Sequence, residues 1–179
     1  MDWLNEPAKW TVDGRHVFVD ADPNTDFWSI TDYGYVRDNG HVYGEILSSE
    51  FKLSVRIEAD YVAQYDQAGA VVRVDEGHWI KTGVELFDGK LRFSTVVTIG
   101  HSNWMIADLP EGLKVLNLSL ERRADAVHIS YSADENPLQF ASVAYLEPGA
   151  SALAGVMCAC PQGEGFSVHF SDYELSAMK

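Results

Sequence analysis

Residues 67–98 read QAGAVVRVDEGHWIKTGVELFDGKLRFSTVVT, and two turn signals within them constrain everything around them. Asp88-Gly89 lies between two alternating runs, a strong hairpin signal because the central residues of a two-residue primed turn need positive φ. A two-residue turn there sets Leu86 opposite Leu91, Val84 opposite Phe93, Thr82 opposite Thr95 and Ile80 opposite Val97. The other face pairs Glu85 with Arg92, Gly83 with Ser94, Lys81 with Val96 and Trp79 with Thr98. One face is built for a core and the other carries chemistry.

The preceding hairpin joins the same sheet. A bare two-residue loop Glu76-Gly77 sets Val74 opposite Trp79 and mixes the faces, because a one-residue slip inverts every side chain. A three-residue loop, Asp75-Glu76-Gly77 with Gly77 left-handed, pairs Val72 with Ile80 and Arg73 with Trp79 and keeps the faces consistent. This reading puts Arg73, Trp79, Lys81 and Glu85 on one face.

Period-2 alternation recurs along the chain, at Leu53 to Ala59, Leu116 to Leu120, Val127 to Tyr131 and Phe166 to Phe170. Turn residues such as Asp38-Asn39-Gly40 and Asp134-Glu135-Asn136-Pro137 bound these runs. Many short strands with regular turn signals predict an all-β sandwich or barrel. Helix is expected at most as single turns at Asn5–Trp10 and Ala150–Ala154. No linker, low-complexity tract or repeat divides the chain, so one domain over residues 1–179 is expected. The closing DYELSA reads as a last strand.

Thirteen basic against 27 acidic residues give a net charge of −14. That charge repels nucleic acid and anionic membrane surfaces. No apolar run approaches the roughly 20 residues of a membrane helix. The start, MDWLNEPAKW, lacks the basic and apolar regions of a secretory signal. Cys158 and Cys160, two apart in a strand, point to one face and cannot bridge without gross strain. Buried free thiols fit a reducing compartment, so a cytoplasmic location is expected.

Candidate chemistry concentrates on the polar face of the hairpins. Trp79 beside Arg73, Lys81 and Glu85 combines a ring that stacks on sugar C–H faces with groups that hold hydroxyls. The bland alternatives are that Trp79 packs under a loop and that Glu85 forms an exposed cross-strand pair with Arg92. Tyr65 and Gln67 precede the first strand of the set and would rim a pocket or serve a turn. Trp104, in GHSNWM, is read as a loop residue, a binding platform or a lid. Glycoside hydrolysis needs two carboxylates, about 5–5.5 Å apart in retaining enzymes. The nearest acids in one strand, Glu58 and Asp60, lack a third partner. The six histidines show no ligand spacing, so no metal site is expected. Neither a phosphate loop nor a dinucleotide fingerprint is present, so no cofactor is expected.

Several strings taken together carry a family resemblance: DFWSITDYGYVRDNGH at 26–41, YDQAGAVVRVDEGHWIKTGVELFDG at 65–89, LRFSTVVT followed by SNW at 91–104, and GVMCACPQGEGFSVHFSDYEL at 155–175. The chain resembles the "regulation of enolase" family, a domain of unknown function with a concanavalin A-like fold. The resemblance implies a jelly-roll sandwich of two antiparallel sheets. Its superfamily holds lectins and glycanases, but fold does not carry function. The glycanase acid triplet and a legume-lectin calcium loop are both missing here.

The expected activity is binding of a carbohydrate or related polar small molecule on the concave sheet face. Trp79 would stack on the ligand, Lys81 and Arg73 would donate, Glu85 and Gln67 would accept, and Tyr65 and Trp104 would form the rim beside Ser94. Two alternatives stand beside it. One is an interaction module that docks on a metabolic enzyme or forms a homodimer through a sheet face. The other is a sugar-active enzyme with Glu85 as base and Lys81 or Tyr65 as acid. A buried Glu85 of perturbed pKa would favour the enzyme, and an exposed one paired with Arg92 would not.

Overall fold

In the computed structural model, residues 1–178 are described, and they fold into two packed antiparallel sheets plus a short ribbon. The first sheet runs in the order β1 (Asp2–Leu4), β6 (His41–Leu47), β15 (Ala152–Ala159), β8 (Gln67–Asp75), β9 (His78–Phe87), β10 (Lys90–Ile99) and β11 (His101–Asp108). The second runs β14 (Gln139–Tyr145), β13 (Ala126–Ala133), β12 (Leu116–Arg123), β7 (Phe51–Ala59), β16 (Phe166–Ala177), β3 (His16–Ala21) and β2 (Lys9–Asp13). The ribbon pairs β4 (Phe27–Ser29) with β5 (Val36–Asp38). Strands are numbered in chain order. Among the described residues there is no helix. The single turns expected at Asn5–Trp10 and Ala150–Ala154 give way in part to β2 and β15.

The alternating runs do what their period requires. Leu53, Val55 and Ile57 of β7, Leu116, Leu118 and Leu120 of β12, and Phe166, Val168 and Phe170 of β16 point inward. They meet Ala70, Val72, Ile80, Val84 and Phe93 of the first sheet in one apolar layer. Each fully buried Val, Leu, Ile or Phe contributes about 1.5–3 kcal/mol. The phase of β16 is reset by a bulge between Ser171 and Glu174, so that Leu175 again faces Leu53. Inside this layer Thr82 and Thr95 satisfy each other, their hydroxyls 2.8 Å apart.

The register of β9 and β10 is that of the two-residue Asp88-Gly89 turn, from Phe87 opposite Lys90 to His78 opposite Ile99. Both turn residues have positive φ, 50° and 71°. The β8–β9 pairing also has the expected faces, with Val72 opposite Ile80 and Arg73 opposite Trp79. The means differ, because Gly77 is not left-handed. Asp75 pairs with His78 across a two-residue turn, and a bulge between Arg73 and Asp75 absorbs the extra residue. The Asp75 carboxylate accepts the Gly77 N–H at 2.8 Å, which closes the turn and displaces the irregularity into the strand.

The outer face of the first sheet is also buried, under the ribbon. Phe27 and Trp28 pack with Val42, Val71, Trp79, Val96 and Met157 in a second apolar cluster. Ser29 pins the ribbon to the β10–β11 turn: its N–H donates to Ser102 Oγ at 2.9 Å and its hydroxyl to Gly100 O at 2.6 Å. At the other end Arg73 holds Asp38 with two bonds, of 3.2 and 2.5 Å. Gly40 follows the ribbon because a Cβ there would lie 2.4 Å from the Phe27 ring.

Candidate functional site

On β9, Trp79, Lys81 and Glu85 share the outer face by their even spacing, and the ribbon brings Asp26 and Phe27 over them. The Lys81 ammonium donates to Asp26 Oδ1 at 3.2 Å, Phe27 O at 2.7 Å and Gln67 Oε1 at 2.6 Å. Three donors meet three acceptors, which is what a buried ammonium requires. Asp26 Oδ1 is in turn served by the Phe27 N–H at 2.7 Å and Gln67 Nε2 at 3.2 Å. Lys81 is 5% exposed and Glu85 6%.

Glu85 is held asymmetrically. Its Oε2 accepts from Ser94 Oγ at 2.6 Å and Trp104 Nε1 at 3.1 Å. Its Oε1 accepts no hydrogen bond among the described residues. Burial pushes the Glu85 carboxyl above the usual range; Lys81 and the two hydrogen bonds pull it down, Asp26 adds repulsion, and burial prevails.

These groups form the floor of a narrow cavity of about 30 Å³. That is room for about two water molecules. Tyr33, Tyr35, Tyr65 and Trp104 ring its mouth, and Trp28, 8% exposed, lines it from the second apolar cluster. The Tyr33 and Tyr65 hydroxyls lie 3.3 Å apart and join the ribbon to the sheet. Tyr33 stacks beside Tyr35, centroids 5.8 Å apart, and Tyr65 meets Trp104 edge-on at 6.3 Å. Backbone strain collects at the same mouth. Ile30, Asp32 and Tyr65 have φ of 63°, 66° and 70°, and a β-branched residue there is a true outlier.

Of the residues expected in a site, Tyr65, Gln67, Lys81, Glu85 and Trp104 line this one cavity, and Ser94 stands behind Glu85 as its donor. Two are placed elsewhere. Trp79 is 1% exposed, lies 5.9 Å from Phe27 and donates its indole N–H to Glu76 O, so its ring is core and offers no face to a ligand. Arg73 is spent on Asp38 at the far end of the ribbon. Trp104 belongs to β11 rather than a loop, opposite Val96. Glu85 lies opposite Arg92 in the register but makes no ion pair with it; the Arg92 guanidinium instead bridges Asp108.

Asp26, Trp28, Tyr33 and Tyr35 are site residues that strand periodicity missed. The signal available was four aromatics, Phe27, Trp28, Tyr33 and Tyr35, within nine residues flanking a turn. Strand pairing also brings His16 and His169 to 3.1 Å on the second sheet, far apart in sequence. Among the described residues no group of three or more His, Cys, Asp or Glu is arranged to hold a metal. Cys158 and Cys160 are buried free thiols. Burial pushes both upward, Cys160 to about 11, so neither is a ready nucleophile.

Two seven-stranded antiparallel sheets enclosing one core define a concanavalin A-like jelly-roll sandwich. The chain belongs to the family described as "Protein of unknown function (DUF1349)", whose profile matches residues 3–178. It is 35% identical over 175 residues to "Regulation of enolase protein 1" of Saccharomyces cerevisiae, covering 98% of this chain and 88% of that one. A crystal structure of a functionally unknown protein from Saccharomyces cerevisiae superposes with a TM-score of 0.93 at 34% identity, covering 99% of this chain and 96% of that one. The carbohydrate binding module CBM66 from Bacillus subtilis shares the fold, with a TM-score of 0.58 at 13% identity and coverage of 98% and 95%.

Proposed function

We propose that this protein binds a carbohydrate or related polar small molecule at the outer face of its first sheet, beneath the ribbon. One observation carries the reading. A buried polar cluster of Asp26, Gln67, Lys81 and Glu85 opens at one end into a ring of four aromatic side chains, Tyr33, Tyr35, Tyr65 and Trp104. Fixed polar groups at the base of an aromatic mouth are the arrangement that orients a hydroxylated ligand while its apolar faces stack. The shared fold with a carbohydrate binding module is in keeping with this. The cavity is too small for a whole pyranose, so the ligand enters by one substituent and its ring lies on Tyr33, Tyr35 and Trp104. The Lys81 ammonium, with its three donors engaged, braces the site and does not serve as an acid. The buried thiols suit a reducing, cytoplasmic setting.

Thermal unfolding against neutral, amino and acidic mono- and oligosaccharides tests this. Stabilisation follows RT ln(1 + [L]/Kd), about 2.7 kcal/mol at 100 Kd, so concentrations must reach tens of mM. A saturable shift that disappears in Tyr35→Ala, a rim residue with little structural burden, is expected. No shift with any saccharide overturns the reading.

A second reading has its own observation. Met105 and Ile106 on β11, and Leu138, Phe140 and Val143 at β14, are all exposed, and residues of both strands line a cleft of about 280 Å³ between the two sheet edges. Apolar side chains on open edges are a usual basis for association. Together with the name of the Saccharomyces relative, this favours an interaction module that regulates a metabolic enzyme. Direct titration with enolase would support it, and an unchanged signal in Phe140→Glu would refute this surface.

A further inference from the structure

The polar floor of the cavity is unequal in what it offers. Every donor of Lys81 is engaged within the protein. The Gln67 amide donates to Asp26 and to Tyr65 O, at 3.2 Å each, and its oxygen accepts from Lys81. Two carboxylate oxygens of the lining remain without a hydrogen-bond partner among the described residues: Glu85 Oε1, on a side chain that is 6% exposed, and Asp26 Oδ2, on one that is 9% exposed. An occupant must therefore donate. Two carboxylates, Asp26 and Glu85, face one ammonium, so the lining carries a surplus negative charge within a chain of net charge −14. The mouth is aromatic, and ring faces attract cations as well as C–H groups. Finally, about 30 Å³ admits an ammonium or an N-methyl group but not a hydroxylated ring.

We infer that the ligand carries a free ammonium group, which enters the cavity to pair with Glu85 Oε1 while the rest of the molecule lies on the aromatic rim. Among saccharides this selects amino sugars with an unmodified amine over neutral, N-acylated and acidic ones. The inference rests on the binding reading above and narrows it. The same geometry sets its pH dependence. The charged or titratable groups facing Glu85 are Lys81 on its own strand, Asp26 from the ribbon, and Tyr33, Tyr35 and Tyr65 at the rim; its cross-strand neighbour Arg92 is engaged with Asp108. Acidification protonates the raised Glu85 carboxyl while a ligand amine stays charged, so affinity falls as pH is lowered.

The test uses the full chain in thermal-shift and calorimetric titrations with glucosamine, glucose, N-acetylglucosamine and glucuronate. Methylammonium chloride, a minimal cation with free N–H donors, is compared with sodium chloride at matched ionic strength. Glucosamine and methylammonium should bind at least about tenfold more tightly than the neutral and acidic sugars, the scale of a desolvated cation–aromatic and ion-pair contact. Glu85→Gln should erase that preference. If Glu85→Gln does not fold, Tyr35→Ala and the wild-type titration at pH 7 and pH 4.5 give independent readouts, each expected to weaken glucosamine binding. Glucose binding as well as glucosamine overturns the inference and leaves the carbohydrate reading standing. No binding in any arm overturns both. Amine binding that survives Glu85→Gln, or Tyr35→Ala together with acidification, places it outside this cavity and also overturns the inference.

Discussion

The two faces of β9 are both buried, but by different means and with different consequences. The inner face, Ile80, Thr82 and Val84, meets a whole second sheet and is dry apart from one pair of threonine hydroxyls. The outer face, Trp79, Lys81 and Glu85, is covered by two three-residue strands and the residues linking them. A full sheet presents paired backbone and apolar side chains, so the layer between the sheets takes little charge; Arg122, 2% exposed in phase with Leu118 and Leu120, is served instead by the loop carbonyls of Ala150 and Glu147. A ribbon brings exposed backbone carbonyls and a carboxylate, so a lysine can be buried beneath it. Burial on a sheet does not define the core: the partner layer does.

Trp79→Ala is the most damaging way to probe that contrast. If the ribbon seals a true second core, the substitution costs about 3–5 kcal/mol, as truncating a buried aromatic does. Denaturant unfolding measures it, and a cost within a few tenths of a kcal/mol would make the ring a surface platform after all. Lys81→Met comes next, at about 3 kcal/mol, the lower end for a broken buried pair because Gln67 and the Phe27 N–H still serve Asp26. Adding Asp26→Asn should recover part of the loss. A double-mutant cycle with no coupling would mean that the two charges are solvated.

The smallest effect expected is on the pH dependence of stability. Glu85 has a folded pKa above its unfolded value of about 4.3. Between those values the folded state holds more protons, so stability falls as pH rises through that window. Below the unfolded value the protonated carboxyl contributes its full share, and above the folded value that share is gone. Glu85→Gln removes the titration. The stability of the wild type relative to the variant should therefore drift downward as pH rises from about 4.3 through the window, in urea titrations at a series of pH values. A flat difference would show a hydrated carboxylate and a cavity open to solvent.

Much of the fold was legible because it rests on local rules. The Asp88-Gly89 turn fixes a register of ten residue pairs between β9 and β10, and alternation then assigns every side chain to a face. The β8–β9 faces were readable too, although the bulge replaced the left-handed glycine: the sequence constrains which faces must match, and several turn geometries achieve it. The site was legible only in half. Lys81, Glu85, Gln67, Tyr65 and Trp104 follow from strand parity or from their place beside a strand. Asp26 and the aromatic residues of the ribbon do not, since nothing local says that residues 26–38 fold over β9 rather than pair into a sheet edge.

That division has a physical reason. Period, turn chemistry and charge belong to neighbours along the chain, and these determined an all-β sandwich, its registers and its paired faces. Which charge meets which partner depends on contacts between distant segments: Asp26 with Lys81, 55 residues apart, and Asp38 with Arg73, 35 apart. Only the tertiary structure decided that Trp79 is core, that Glu85 keeps one oxygen free, and that a cavity exists between them and the rim.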